Sequence, residues 1–197
     1  MRRKIHWALL ATGLFVIGAA GCGTTSTNQA AKTVTKTITK TAPGRDYLYL
    51  TIMTGKQVKK PGWPLYMPAN FKVPANATVT VSIYNWDDGT APLPAHSPYA
   101  TVSGVQGSIK ATAEPNGATS TITSLNPNAV SHTFTMTEVN NLNVPIPASA
   151  DVTFTFKAPA KPGNYPWECM APCGTGTTGY AGTMATPGWM KGTMTVQ

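Results

Sequence analysis

The sequence predicts an all-β protein, a Greek-key β-sandwich or barrel, on three observations. Charged residues make up only 11% of the 197-residue chain, while Gly (18) and Pro (17) are abundant; this is a composition of turns rather than of long amphipathic helices. Segments rich in Val, Thr, Ile and aromatic residues alternate apolar with polar at a period of two, as half-buried strands do. Clusters of Gly, Pro, Asn and Asp separate them, and no long stretch carries the 3.6-residue apolar period of a helix.

Residues 1–21 read as a targeting segment. Arg2-Arg3-Lys4 is basic, Ala8 to Ala20 is apolar and uncharged, and Ala19-Ala20-Gly21 places small residues directly before Cys22. The pattern resembles a bacterial lipoprotein signal, in which Cys22 would carry lipid; an ordinary signal peptide or an uncleaved anchor are the alternatives, and all three export the chain. Residues 22–44, with Lys-Thr-Val-Thr-Lys-Thr-Ile-Thr-Lys-Thr at 32 to 41, lack the apolar density of a core and read as a solvated tether. The expected domain is 45–197. Of the formal charge of +8, three positives lie in Arg2-Arg3-Lys4 and three at Lys32, Lys36 and Lys40, leaving +2 from residue 45 onward. The basic balance therefore belongs to targeting and tether, and no basic face interleaved with aromatics supports nucleic-acid binding.

Within the domain, Tyr47 to Met53 is the first expected strand, and a loop punctuated by Gly55, Pro61, Gly62, Pro64 and Pro68 follows. Thr78 to Asn85 is the clearest strand, with Val79, Val81 and Ile83 on one face. Asp87-Asp88-Gly89 reads as a turn, and residues 86–130 as an insertion decorating one end of the sandwich, with Ala100–Val105 and Ser120–Ser124 as candidate strands. Ser131–Thr137, Asp151–Lys157, Tyr165–Glu168 and Lys191–Val196 complete the set.

Two of the three cysteines lie in Tyr165-Pro166-Trp167-Glu168-Cys169-Met170-Ala171-Pro172-Cys173-Gly174, at the end of a strand pattern. Thiols this close can bind a soft metal, exchange electrons as dithiol and disulfide, or staple their loop. Outside the cytoplasm a Cys169–Cys173 disulfide is one outcome and metal binding the other. A hydrolase is not indicated: there is no Gly-x-Ser-x-Gly elbow, no phosphate-binding glycine loop and no paired carboxylates among seven acidic residues.

Four local patterns resemble the cupredoxin family in their order: Phe71-Lys72-Val73-Pro74-Ala75-Asn76 entering a strand, His132 opening one, Pro162-Gly163-Asn164-Tyr165-Pro166-Trp167-Glu168-Cys169, and Trp189-Met190-Lys191-Gly192-Thr193-Met194-Thr195-Val196. Cys169-Met170-Ala171-Pro172-Cys173 is most similar to the copper loop of cytochrome c oxidase subunit II, where two thiolates bridge a dinuclear centre. The resemblance implies a cupredoxin-like fold and copper as cofactor. It assigns His132 as the imidazole ligand, Cys169 as the principal thiolate, Met190 as the weak axial thioether and Cys173 as a second thiolate. The ligand set is incomplete, because no histidine occurs from Gly174 to Gln197. His96, in the proline-rich insertion, is the other imidazole of the domain and the remaining candidate ligand.

The function so implied is electron transfer outside the cytoplasm by a protein tethered to the membrane, an electron carrier or oxidase-subunit-like protein more than a stand-alone catalyst. Its partners would be cytochrome-like or oxidase-like redox proteins. A Cu(I)-binding or copper-delivery lipoprotein, working with copper-handling proteins, is the alternative: it would hold Cu(I) through Cys169, Cys173 and neighbouring methionines among Met170, Met184, Met190 and Met194, which are core filler or soft ligands, since a sulfur-rich and imidazole-poor set prefers Cu(I). A metal-free fold closed by a Cys169–Cys173 disulfide is a third.

Overall fold

The computed structural model describes residues 44–115, 117–174 and 182–197. The targeting segment, Cys22 and nearly all of the tether lie outside these described residues.

Among the described residues eleven strands form two sheets. In the first, the spatial order is β2 (Leu65–Met67), β1 (Arg45–Met53), β4 (Thr78–Asn85), β9 (Ala150–Lys157), β5 (Ile109–Ala113) and β6 (Thr119–Ile122). In the second it is β3 (Asn70–Val73), β11 (Lys191–Val196), β10 (Gly163–Glu168), β7 (Val130–Met136) and β8 (Leu142–Pro147). The hairpin β7–β8 lies in the second sheet, β9 crosses to the first, and β10 returns to lie beside β7. Such crossings are the Greek-key expectation met in strand order.

The period of two sets the core. Antiparallel pairing places Val79 opposite Phe156, Val81 opposite Phe154 and Ile83 opposite Val152, and all six side chains are buried. Each such burial contributes about 1.5–3 kcal/mol. From the second sheet, Phe134, Trp167, Met194 and Val196 join them in one core, with Tyr66 edge-on to Trp167 at 4.8 Å between ring centres.

Strand β7 departs from the alternation, because every residue from Val130 to Met136 is buried. Its polar side chains are therefore paired among themselves and with neighbours, as buried polar groups must be. Thr133 Oγ1 and Thr135 Oγ1 are 2.9 Å apart, Thr135 donates to Asn143 Oδ1 at 2.7 Å, and Asn143 Nδ2 donates to the carbonyls of Tyr99 and Thr101.

Residues 86–130 differ from the expectation. Instead of decorating one end, they add the β5–β6 hairpin to the edge of the first sheet, where β5 pairs with β9 and turns Ile109 and Ala111 inward. The strand expected over Ala100–Val105 is a short 3-10 turn, Pro98–Ala100, capped by Ser97, followed by isolated bridges at Thr101 and Ser103. Pro98 supplies no amide donor to a ladder and suits the first position of such a turn. Strand β8 had no clear sequence signal because Pro145 and Pro147 interrupt it. Both are tolerated because β8 is the edge of its sheet.

Candidate metal centre

The second sheet brings one imidazole and two sulfurs together at one end of β7 and β10. His132 lies just after a register shift between Val130 and His132 in the β7–β8 pairing. Cys169 follows the last residue of β10, and its backbone N–H donates to the carbonyl of Met190 at 2.9 Å, which ties the thiol loop to the start of β11. The loop is tied a second time to β7, where Met170 N–H donates to Thr133 Oγ1 at 2.7 Å. It then turns back sharply, with Cys173 N–H donating to the carbonyl of Ala171 at 2.7 Å. Gly174, at φ +78°, has room for no side chain: a Cβ there would stand 2.7 Å from the carbonyl oxygen of Gly62.

This backbone places Cys169 Sγ 3.0 Å from Cys173 Sγ, and Cys173 Sγ 2.9 Å from His132 Nδ1. The three donor atoms lie within 4.8 Å of one another, and all three residues are buried. Both cysteines are free; the disulfide considered above is not formed, and the sulfurs stand beyond the roughly 2.05 Å of such a bond. Donor atoms around one tetrahedral ion stand about 3.5 Å apart, so a small opening of this cluster accommodates a metal ion. Two sulfurs and one imidazole nitrogen suit a soft or borderline ion.

Three residues around the cluster had no assigned role in the sequence. Asp87 Oδ2 is 3.1 Å from His132 Nε2, leaving Nδ1 toward the sulfurs, the usual carboxylate–imidazole arrangement behind a metal ligand. Asp87 is itself fixed: its N–H donates to Asn85 Oδ1 at 3.0 Å, and Gly89 N–H donates to Asp87 Oδ1 at 3.0 Å. Thr133 N–H donates to Cys169 Sγ at 3.3 Å. Tyr66 hydroxyl donates to the carbonyl of Thr133 at 3.0 Å and braces the same strand from the core side. The Asp-x-Gly turn immediately after a strand was the available signal for Asp87.

The electrostatics follow from burial and these partners. Burial would lower the affinity of His132 for a proton, yet Asp87 and then the Cys169 sulfur more than offset it, and the imidazole is raised to about 8. Burial likewise opposes ionisation of Asp87, but the hydrogen bonds and charge of His132 and the Gly89 amide hold it below its ordinary value. Burial also opposes a thiolate at Cys169; the hydrogen bond to Cys173, the nearby His132 and the Thr133 amide reverse this and hold Cys169 well below the ordinary thiol range. Burial and the neighbouring Cys169 sulfur push Cys173 well up. Ionisation is thus favoured at Cys169 and opposed at Cys173, beside an imidazole paired with a carboxylate.

Among the sequence candidates, His132, Cys169 and Cys173 are brought together. Met190 is fully buried, one residue before β11, with its carbonyl bound to the Cys169 amide. His96 lies apart from this cluster, exposed, at φ +64°, on the wall of a separate cavity with Leu125 and Pro127. Residues 175–181 of the thiol loop lie outside the described residues.

No protein-family model matches the chain, and no curated protein does. Solved structures do. Auracyanin B is 15% identical over 79% of this chain and 91% of that one, with a TM-score of 0.34. Na-dithionite reduced auracyanin from the photosynthetic bacterium Roseiflexus castenholzii is 20% identical over 77% and 96%, with a TM-score of 0.35. Rusticyanin from Thiobacillus ferrooxidans is 15% identical over 79% of each chain, with a TM-score of 0.33.

Proposed function

We propose that this chain is an extracytoplasmic, membrane-tethered copper protein of cupredoxin type that carries single electrons between redox partners. The observation that supports this best is the buried His132, Cys169 and Cys173 cluster, already assembled by backbone hydrogen bonds. In this reading these three residues hold the ion and Met190 is a weaker thioether donor. Copper, when bound, supplies a one-electron couple.

The chain's own residues do the rest. Asp87 orients His132 and fixes which nitrogen faces the sulfurs. Thr133 N–H donates to the Cys169 sulfur, which draws charge from it and tunes the potential of a bound metal. Burial keeps water away, and a loop tied to β7 and β11 changes little between charge states. Kinship to the subunit II copper domain rests on the spacing of Cys169 and Cys173; with no histidine from Gly174 onward, a single ion fits the donors better than two. Tethering through Cys22, and oxidase-like or cytochrome-like partners, belong to the same reading and rest on the sequence.

A second reading, a Cu(I)-holding or delivery protein, is favoured by one specific feature: two sulfurs stand against one imidazole in the cluster. Aerobic copper titration of the intact chain with reduced thiols, followed by visible absorption and electron paramagnetic resonance, separates the two. Electron transfer requires an intense thiolate-to-copper band that bleaches on reduction. Silence with Cu(II) and tight, colourless Cu(I) binding selects the delivery protein, and silence with both ions overturns the copper reading.

A further inference from the structure

The cluster is closed to solvent, with His132, Cys169 and Cys173 each no more than 2% exposed. An ion therefore needs a way in. A cavity of about 300 Å³ reaches Cys169, and its walls include Met170, Met184, Tyr99, Leu93 and Glu168. Met170 and Met184 are both half-buried, so they lie between the outside and the Cys169 sulfur.

From this cavity, we infer that Met170 and Met184 form a transient thioether site that captures Cu(I) and passes it to Cys169. The inference rests on the reading of the cluster as a copper site and adds the path by which it fills. Thioethers are neutral, soft donors, so they select Cu(I) over the harder ions that share its compartment and need lose no proton to bind it. Glu168, at the end of β10, adds negative charge to the same wall and favours a cation there. Cys169 is the member of the cluster that lines the cavity, so it is the first of the three donors an ion there would meet. The ion moves from two thioethers to Cys169, then to Cys173 and His132, with no change of oxidation state; the protons it displaces from the thiols and from His132 Nδ1 leave to solvent.

The bland account of Met170 and Met184 is apolar packing, and leucine separates the two because it conserves volume while removing the sulfur. The experiment mixes the intact, thiol-reduced chain with the Cu(I)–bicinchoninate complex and follows loss of the chelate colour by stopped flow, for the parent and for Met170→Leu with Met184→Leu. The expected result is loading slowed by about tenfold, equivalent to about 1.4 kcal/mol of barrier, with the final partition of copper unchanged. Equal rates overturn the inference. A changed final partition also overturns it, since the methionines would then belong to the resting site. If the parent withdraws no Cu(I), the copper reading of the cluster fails and the entry path with it. As a readout free of copper transfer, substoichiometric Ag(I) should shift the methyl resonances of Met170 and Met184 more than that of exposed Met67.

Discussion

His132 Nδ1 stands 2.9 Å from Cys173 Sγ, so a second thiol, rather than a second imidazole, completes the cluster with Cys169. The two sulfurs are not equivalent. Cys169 accepts the Thr133 amide and is held well below the ordinary thiol range, whereas Cys173 is pushed up by burial and by its neighbour. Cys169→Ser should abolish any thiolate-to-copper band and weaken Cu(I) binding by more than about a hundredfold, beyond the range typical for loss of an outer partner. Cys173→Ser should keep the band while weakening Cu(I). Visible spectra and chelator competition on both variants, with circular dichroism as the folding control, test this ranking; a band surviving only in Cys169→Ser would reverse it.

The carboxylate of Asp87 acts through the imidazole, not on the ion. Its Oδ2 is 3.1 Å from His132 Nε2, and its own position is set by Asn85 and Gly89. Asp87→Asn preserves shape and removes charge. Metal affinity should fall about 10–100-fold, and the metal-free imidazole should titrate lower than about 8. A proton-detected titration of His132 distinguishes this from simple damage to the fold, which would leave the imidazole exposed and the affinity lost altogether.

Proton release on metal binding should change near pH 8. The folded imidazole is raised to about 8 by Asp87 and Cys169 against its burial. Protonation therefore stabilises the metal-free protein below the ordinary histidine range, and this contribution is lost as pH rises through about 8. A metal must displace that proton together with any the thiols still carry. Binding should release about one proton more below pH 8 than above it, so affinity climbs more steeply with pH on the acid side. Calorimetry in buffers of different ionisation enthalpy counts the protons; an unchanging number across about pH 8 would contradict the raised imidazole.

The sheets were legible wherever alternation was clean. Val79, Val81 and Ile83 announced β4, and Val152, Phe154 and Phe156 announced β9. They were illegible where another constraint overrode the pattern: Pro145 and Pro147 hid β8, and the uniformly buried β7 was read as half-buried. His132, Cys169 and Cys173 were nameable because two of them share a loop and the third opens a strand. Asp87 was not, because nothing local ties it to a histidine 45 residues later; only the packing of the β4 end against the β7 start brings them together. Met170 and Met184 were legible as core filler or soft donors near the thiols, but only the packing places both on the wall of one cavity with Cys169.

Beneath the cluster, the fold depends on one close approach of backbone to indole. Gly192, paired opposite Trp167, would place a Cβ 1.8 Å from the carbonyl oxygen of Ala69 and 2.8 Å from Trp167 Nε1. Those two atoms are bonded to each other, Trp167 Nε1 donating to the Ala69 carbonyl at 2.8 Å. Gly192→Ala must therefore displace β11 from the Ala69 turn or break this hydrogen bond, and the atom in the way is backbone, which cannot swing aside. Overpacking costs about 1–3 kcal/mol and an orphaned buried donor about 1–3 kcal/mol. The expected loss is about 2–5 kcal/mol in urea unfolding, with quenched or shifted Trp167 fluorescence. Gly44→Ala, where nothing lies within 4 Å of the added Cβ, is the control and should change stability by less than about 0.5 kcal/mol. Equal stability of the two variants would mean that β11 is free to move away from the indole, and the rigidity ascribed to the Met190 end of the loop would go with it.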